Sequence, residues 1–232
     1  MTVLTESERV RVSRRMVLEL LASSVDLSTA PGLHDMMTRY GAQPERYGPA
    51  AAPAAAGARD RREPGHHEAP EGARAETVAQ PVKVDNDLYI RDYSKCVLCY
   101  KCVEACGVDA QNTFAITVAG RGFGAHISTE LDVTLPDSAC VYCGNCIAVC
   151  PTGALMSKAE YDKRLAGTWD LENEQVVSTV CPYCGVGCNL ELHVQDNEIV
   201  NVTSPHDHDV TEGNLCIKGR FGYQFVQNRP RT

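Results

Sequence analysis

Two cysteine runs between residues 96 and 151 constrain the fold of this chain more than any other feature. The first run is Cys96-Val-Leu-Cys99-Tyr-Lys-Cys102-Val-Glu-Ala-Cys106. The second run is Cys140-Val-Tyr-Cys143-Gly-Asn-Cys146-Ile-Ala-Val-Cys150-Pro151. Both have the C-x2-C-x2-C-x3-C spacing that is typical of four-iron, four-sulfur (4Fe-4S) clusters. Zinc sites favour pairs of C-x2-C half-sites without the interleaved third and fourth cysteines, and the repeated run therefore indicates iron–sulfur chemistry.

In two-cluster ferredoxins the first three thiolates of a run bind one cluster, and the fourth binds the other. We therefore expect cluster 1 to be held by Cys96, Cys99, Cys102 and Cys150. We expect cluster 2 to be held by Cys140, Cys143, Cys146 and Cys106.

A third cysteine pattern follows, Cys181-Pro-Tyr-Cys184-Gly-Val-Gly-Cys188, with Cys216 far downstream. This C-x2-C-x3-C run with a distant fourth cysteine predicts a third 4Fe-4S cluster, held by Cys181, Cys184, Cys188 and Cys216. Alternating apolar residues on both sides of Asp196-Asn197 predict a β-hairpin beside it. For His193, His206 and His208 we expect surface or structural roles, since four thiolates are already available.

Composition agrees with small domains that fold around inorganic centres. All twelve cysteines lie between Cys96 and Cys216, which argues against a general disulfide framework. The net charge of −8 argues against nucleic acid as a partner, because phosphate binding needs a basic face. The sequence has no run of 18 apolar residues, so no membrane insertion is expected.

The N-terminal sequence contains Ser13-Arg14-Arg15, which is weakly similar to a twin-arginine export signal. Glu19 interrupts the apolar run that follows, and no small-residue cleavage site comes after it. An amphipathic helix over residues 5–23 is the better interpretation, with a capping box at Thr5 and Glu8. We therefore expect a cytoplasmic protein.

The predicted fold class is α+β, with several small units along the chain. We expect a helical N-terminal segment (1–46), a flexible Ala/Pro/Gly linker (47–81), a double-cluster ferredoxin-type domain (82–160), a connector (161–175) and a β-rich cluster domain (176–232). Within the first segment, a second helix should run from about Leu33 to Tyr40 and end at Gly41. The pair His66-His67 lies in the linker, and nothing nearby completes a coordination sphere.

Between the two cysteine runs, the sequence predicts two short strands. They should cover residues 114–118 and 126–129, on either side of the glycine-rich Gly120-Arg121-Gly122-Phe123-Gly124. No helix start with Lys-Ser/Thr follows these glycines, which makes a phosphate-binding loop a weak alternative.

The C-terminal region resembles a known family. Cys-Pro-Tyr-Cys-Gly-Val-Gly-Cys-Asn-Leu, followed by Gly-Asn-Leu-Cys-Ile-Lys-Gly-Arg-Phe-Gly-Tyr-Gln-Phe-Val up to Val226, is similar to the iron–sulfur domain that opens molybdopterin oxidoreductases. Within that family it looks most like the α subunit of cytoplasmic NAD-dependent formate dehydrogenases. The two earlier runs resemble the double-cluster part of the same subunit, which is also found in the large iron–sulfur subunit of respiratory complex I.

The resemblance implies a role, cofactors and partners. Lys218, two residues after Cys216, matches a family lysine that lies between the cluster and the pterin. A partner chain would carry a molybdenum or tungsten bis-pterin guanine dinucleotide that oxidises formate, and other partners would be flavin/NAD-binding iron–sulfur subunits. Electrons would move between the pterin and the flavin through three 4Fe-4S clusters, in either direction.

The chain also departs from the family pattern. Residues 23–36 contain no cysteine, although the family places cluster ligands there, and His34 alone cannot hold a cluster. No catalytic residue is predicted, because three clusters use all twelve cysteines. Two alternatives stay open: a free-standing polyferredoxin adapter for another oxidoreductase such as a hydrogenase, and a truncated form of a complete enzyme.

Overall fold

The computed structural model describes residues 3–47, 82–122 and 125–227. Helices and short antiparallel sheets are mixed along the chain, in agreement with the predicted α+β class. The predicted linker and its His66-His67 pair lie outside the described residues, as do Phe123 and Gly124. No described helix has the length and apolar character needed to cross a bilayer.

Two antiparallel helices form the N-terminal hairpin. Helix α1 is Glu8–Ser24 and helix α2 is Pro31–Tyr40. The cap of α1 differs from the sequence-based expectation, because Ser7 rather than Thr5 precedes the helix and its hydroxyl accepts the Val10 N–H at 3.4 Å. The predicted end of α2 is confirmed, since Gly41 has the left-handed φ of 64° that favours glycine at this position.

The hairpin buries its own small core against the central part of the chain. The core residues are Leu18, Ala22, Leu27, Ala30, Met37 and Tyr40, and Val97 from the first cysteine run packs against them. Thr29 Oγ1 donates to the carbonyl of Thr152 at 2.6 Å, and the Asp26 N–H donates to the carbonyl of Ser94 at 3.1 Å. The hairpin is therefore attached to both cysteine runs.

The central part pairs distant segments across the cysteine runs. Strand β1 (Tyr89–Arg91) precedes the first run, and strand β4 (Leu155–Ser157) follows the second. They pair antiparallel with Ile90 opposite Met156. The two three-residue strands between the runs are β2 (Thr117–Ala119) and β3 (His126–Ser128), which pair as predicted but are shorter than the predicted 114–118 and 126–129.

Short helices follow the cysteine loops. They are α3 (Lys101–Cys106) in the first run and α4 (Asn145–Ala148) in the second. Helix α5 (Lys158–Ala166) continues directly from β4 and was missed in the sequence, where residues 157–174 look uniformly polar. Its start is explained by Ser157, whose hydroxyl accepts the Glu160 N–H at 3.2 Å.

The C-terminal part is built on one three-stranded antiparallel sheet. Its strands are β5 (Gln175–Val180), β6 (Asn189–Gln195) and β7 (Glu198–Thr203), in that spatial order. The hairpin predicted at Asp196-Asn197 is confirmed, and both turn residues have positive φ (50° and 60°). Helices α6 (Ile217–Phe221) and α7 (Gln224–Gln227) follow, and α6 contacts β7.

Candidate metal centres

The two cysteine runs have the same local backbone. In each C-x2-C loop the residue before the second cysteine has positive φ, 53° at Leu98 and 58° at Tyr142. The N–H of Leu98 donates to Cys96 Sγ at 3.4 Å, and the N–H of Tyr142 donates to Cys140 Sγ at the same distance. The loops therefore direct backbone donors at sulfur, an arrangement that favours the charged thiolate.

The thiols that were expected to share cluster 1 surround one pocket. It is lined by Cys96, Cys99, Cys102 and Cys150 together with apolar side chains such as Ile127 and Leu155. Cys150 comes from the second run, so the predicted exchange of the fourth cysteine is present in the geometry. Burial raises the pKa of Cys96 to about 11 and the pKa of Cys102 to about 12, and the neighbouring thiols act in the same direction.

The thiols expected to share cluster 2 line a second pocket, which contains Cys106, Cys140, Cys143 and Cys146. Burial is the main cause that raises the pKa of Cys143 and Cys146, and the other thiols of the group act in the same direction. Tyr89 hydroxyl lies 2.9 Å from Cys140 Sγ, and the Ala115 N–H donates to Cys106 Sγ at 3.2 Å. Neither contact could be anticipated from the cysteine spacing.

The third group surrounds the loop between β5 and β6. Burial and the thiols of Cys181, Cys184 and Cys216 raise the pKa of Cys188, which brings all four predicted ligands into one neighbourhood. The Cys181 N–H donates to the Cys188 carbonyl at 2.8 Å and closes the loop. Gly187 has φ 69°, a left-handed conformation that glycine adopts without strain.

These thiol groups fit iron–sulfur clusters on physical grounds. Four neighbouring thiols in an apolar site resist ionisation, so a cationic centre is needed to hold them as thiolates. Within the described residues, no group of three or more His, Cys, Asp or Glu side chains converges on a position for a single ion. Thiols that line a pocket without converging on one point suit a polynuclear cluster better than one zinc ion.

Lys218 lies on the first turn of α6, directly after Cys216 and Ile217. Its side chain is exposed, and its carbonyl accepts the Gly222 N–H at 2.9 Å. Two residues further, Arg220 is buried and donates to the Cys143 carbonyl at 3.0 Å. The sequence marked Lys218 through the resemblance but gave no sign that Arg220 contacts the second cysteine run.

The three histidines singled out in the C-terminal part have structural surroundings. His193 is half-buried, with Nδ1 2.8 Å from Glu174 Oε1 and Nε2 2.8 Å from Thr203 Oγ1. His208 Nδ1 accepts the Val210 N–H at 3.2 Å. The His206 ring packs over Gly213, where a Cβ would lie 2.3 Å from Nδ1. His193 is thus more strongly bonded than the solvated residue that its strand position predicts.

Comparison with known protein families follows the same division of the chain. Residues 95–154 match the 4Fe-4S dicluster domain, and residues 174–228 match the molybdopterin oxidoreductase Fe4S4 domain. The chain is an iron–sulfur electron-transfer module of the molybdopterin oxidoreductase type. The finer resemblance to NAD-dependent formate dehydrogenase is not specific to these matches, because similar relatives carry several names.

Three relatives illustrate that range. The chain is 35% identical over 142 residues to a protein of the NADH-quinone oxidoreductase of Rhizobium meliloti, covering 61% of this chain and 16% of that protein. It is 38% identical over 152 residues to the alpha subunit of the NADPH-Fe(3+) oxidoreductase of Geobacter sulfurreducens, covering 65% and 17%. It is 30% identical over 176 residues to a putative formate dehydrogenase of Staphylococcus haemolyticus, covering 62% and 18%.

The chain thus spans less than a fifth of the length of these curated relatives. Among solved structures, it is similar to a chain of an NAD+-reducing nickel–iron hydrogenase in the H2-reduced state. That similarity has a TM-score of 0.47 and 21% identity, and it covers 66% of this chain and 57% of the other.

Proposed function

We propose that this chain binds three 4Fe-4S clusters and relays electrons within a formate dehydrogenase complex. Cluster 1 would be held by Cys96, Cys99, Cys102 and Cys150. Cluster 2 would be held by Cys106, Cys140, Cys143 and Cys146. Cluster 3 would be held by Cys181, Cys184, Cys188 and Cys216.

The grouping of the thiols is the observation that carries this proposal. Two pockets each contain three thiols of one run and the fourth thiol of the other, which the alternating ligand pattern of two-cluster ferredoxins requires. A bound 4Fe-4S cluster accepts and releases single electrons at a potential that its surroundings set. The side chains around the pockets, among them Tyr93, Ile127 and Leu155, exclude water from the sites.

Hydrogen-bond donors aimed at the sulfur atoms are the means by which the chain sets these potentials. The Leu98, Ala115 and Tyr142 N–H groups point at thiols in the first two groups. Such donors stabilise negative charge at sulfur and therefore favour the reduced form of a cluster. The chain is thus a set of positioned ligands and donors, with no residue assigned to bond-making chemistry.

The formate dehydrogenase assignment depends on the C-terminal unit and its lysine. Lys218 follows Cys216 by two residues on an exposed helix, where a pterin on a partner chain could approach it. The partner would carry the molybdenum or tungsten bis-pterin, and flavin/NAD-binding iron–sulfur subunits would exchange electrons at the other end of the complex. Several relatives named as putative formate dehydrogenases support this role.

A second candidate is the same relay in an NAD(P)H-dependent oxidoreductase that does not act on formate. The NADH-quinone and NADPH-Fe(3+) oxidoreductase relatives, at 35% and 38% identity, favour it over the adapter serving a hydrogenase. In that case the chain would still hold its clusters, but formate would not reduce them.

Purification of the complex from its native source under anaerobic conditions tests the assignment. The proposal expects a co-purifying chain with molybdenum or tungsten, and cluster reduction by formate that is visible by electron paramagnetic resonance (EPR). Reduction by NADH or NADPH but never by formate would favour the second candidate. Isolation as a stable solitary chain with iron as its only metal would contradict both versions.

A further inference from the structure

Arg220 is a buried cation at the junction between the double-cluster part and the three-stranded sheet. Only 3% of its surface is exposed. Nε donates to the Cys143 carbonyl at 3.0 Å, and Nη2 donates to Asn145 Oδ1 at 3.2 Å, both in the second cysteine run. Nη1 donates to the carbonyl of Val202 in β7 at 3.3 Å. One side chain therefore bonds to both parts of the protein.

The surroundings of Arg220 are fitted to its side chain. Gly144 has φ 73°, and a Cβ at this position would lie 2.4 Å from Arg220 Cδ. A side chain at residue 144 would displace the guanidinium stem. Asn145 is 3% exposed, and its Oδ1 also accepts the Leu215 N–H at 3.0 Å. The second cysteine loop and the segment leading to Cys216 are thus joined through two adjacent side chains, Asn145 and Arg220.

The charge of Arg220 is not explained by these hydrogen bonds. Its three acceptors are neutral oxygens, whereas a buried cation ordinarily needs a negative partner. Burial lowers the pKa of the guanidinium, and negative charge at Cys146 and Cys143 acts in the opposite direction. The anionic groups near enough to compensate the cation are therefore two thiols of the second pocket.

We propose that Arg220 is a positioning residue that fastens the C-terminal sheet to the second cysteine loop and raises the reduction potential of the cluster held there. The electrostatic part rests on the proposed function, because it requires a cluster at Cys106, Cys140, Cys143 and Cys146. A reduced cluster carries one more negative charge than the oxidised one, and a fixed cation nearby stabilises that form. The fastening part depends on the described hydrogen bonds alone.

Two substitutions separate the charge from the hydrogen bonds. Arg220→Gln removes the cation, whereas Arg220→Lys keeps the cation but cannot reproduce the planar three-way donor geometry. Arg164→Gln is the matched control, because Arg164 pairs with Glu160 and stacks on Trp169. Two measurements are made on the cluster-loaded full chain: an EPR-monitored redox titration, and hydrogen exchange of the Leu215 amide.

The proposal expects one cluster signal of Arg220→Gln to titrate at a more negative potential than in the wild type, and in Arg220→Lys to shift less. It expects the Leu215 amide to exchange at least about ten-fold faster in both variants, which corresponds to the loss of about 1.4 kcal/mol. Arg164→Gln should match the wild type in both respects. Wild-type potentials in Arg220→Gln would overturn the electrostatic role, and wild-type exchange in Arg220→Lys would overturn the fastening role.

The same experiment distinguishes failure of this inference from failure of the proposed function. If Arg220→Gln retains no clusters, the potential and exchange of Arg220→Lys decide the outcome by the criteria above. A wild-type chain that binds no 4Fe-4S cluster would refute the proposed function, and with it the electrostatic role. Hydrogen exchange at Leu215 would still test the fastening role in that protein.

Discussion

Asp26 and Lys95 form a buried ion pair that joins the N-terminal hairpin to the first cysteine run. The Asp26 side chain is fully buried and that of Lys95 is 9% exposed. Lys95 Nζ also donates to Ser28 Oγ at 3.0 Å, and the Ser28 N–H donates to Asp26 Oδ1 at 3.0 Å. Because Cys96 follows Lys95 directly, this pair attaches a hairpin without cluster cysteines to the loop of the first pocket.

We predict that Asp26→Asn destabilises the attachment of the hairpin. The substitution leaves the Lys95 ammonium buried without its counter-charge, which costs about 3–5 kcal/mol. Hydrogen exchange of the amides in α1 and α2 should then accelerate about a hundred-fold or more. Asp162→Asn, which removes an exposed pair with Lys158, should change exchange little. Equal effects of the two substitutions would show that the buried pair does not hold the hairpin.

The same pair predicts a pH dependence. Burial alone would raise the pKa of Asp26, but Lys95 and the Ser28 donors outweigh it, and the net pKa lies below the ordinary value of 3.8. A carboxyl with a lowered folded-state pKa contributes stability that is complete above its unfolded pKa and is lost as pH falls through the folded value. Hairpin protection should therefore be constant above about pH 5 and decline below about pH 4. The decline should be smaller in Asp26→Asn, and an identical decline in both proteins would contradict the prediction.

Tyr89→Phe should make one cluster potential more negative. The Tyr89 hydroxyl lies 2.9 Å from Cys140 Sγ, and loss of a donor to sulfur disfavours the reduced form. The ring itself packs on Phe221, with centroids 6.0 Å apart, and phenylalanine preserves that contact. EPR-monitored titration measures the shift, and Tyr161→Phe on α5 is the control. An unchanged set of potentials in Tyr89→Phe would show that the hydroxyl does not act on the cluster.

Lys218→Gln should slow formate-dependent reduction of the final acceptor in the intact complex while the iron content stays constant. The physical reason is the proposed place of the ammonium between the pterin and cluster 3. Lys158→Gln serves as the control, because Lys158 pairs with Asp162 at the exposed start of α5. Turnover equal to that of the control would remove Lys218 from the proposed path.

How far the sequence predicts this fold depends on the range of each interaction. Cysteine spacing, the Asp196-Asn197 turn and the Gly41 cap are local signals, and each is present in the structure as expected. The β1–β4 pairing and β5 depend on tertiary contacts, which no pattern in their short segments announces. Strand β5 is exposed along its length, so it lacks the buried alternation by which strands are recognised.

The candidate sites follow the same rule. The thiol groups could be predicted because iron–sulfur clusters impose fixed spacings on their ligands. Arg220 and Asn145 could not be, since they meet across 75 residues of chain through contacts that only the folded chain creates. Lys218 was found through a family resemblance, and its role stays a prediction.

The iron and acid-labile sulfide content of the full chain, measured after anaerobic purification, tests the central claim most directly. Three 4Fe-4S clusters predict about twelve iron and twelve sulfide per chain. Cys216→Ser should lower both values to about eight and leave the two clusters of the central part. A wild-type value near eight would contradict the third cluster, and zinc in place of iron would contradict the account as a whole.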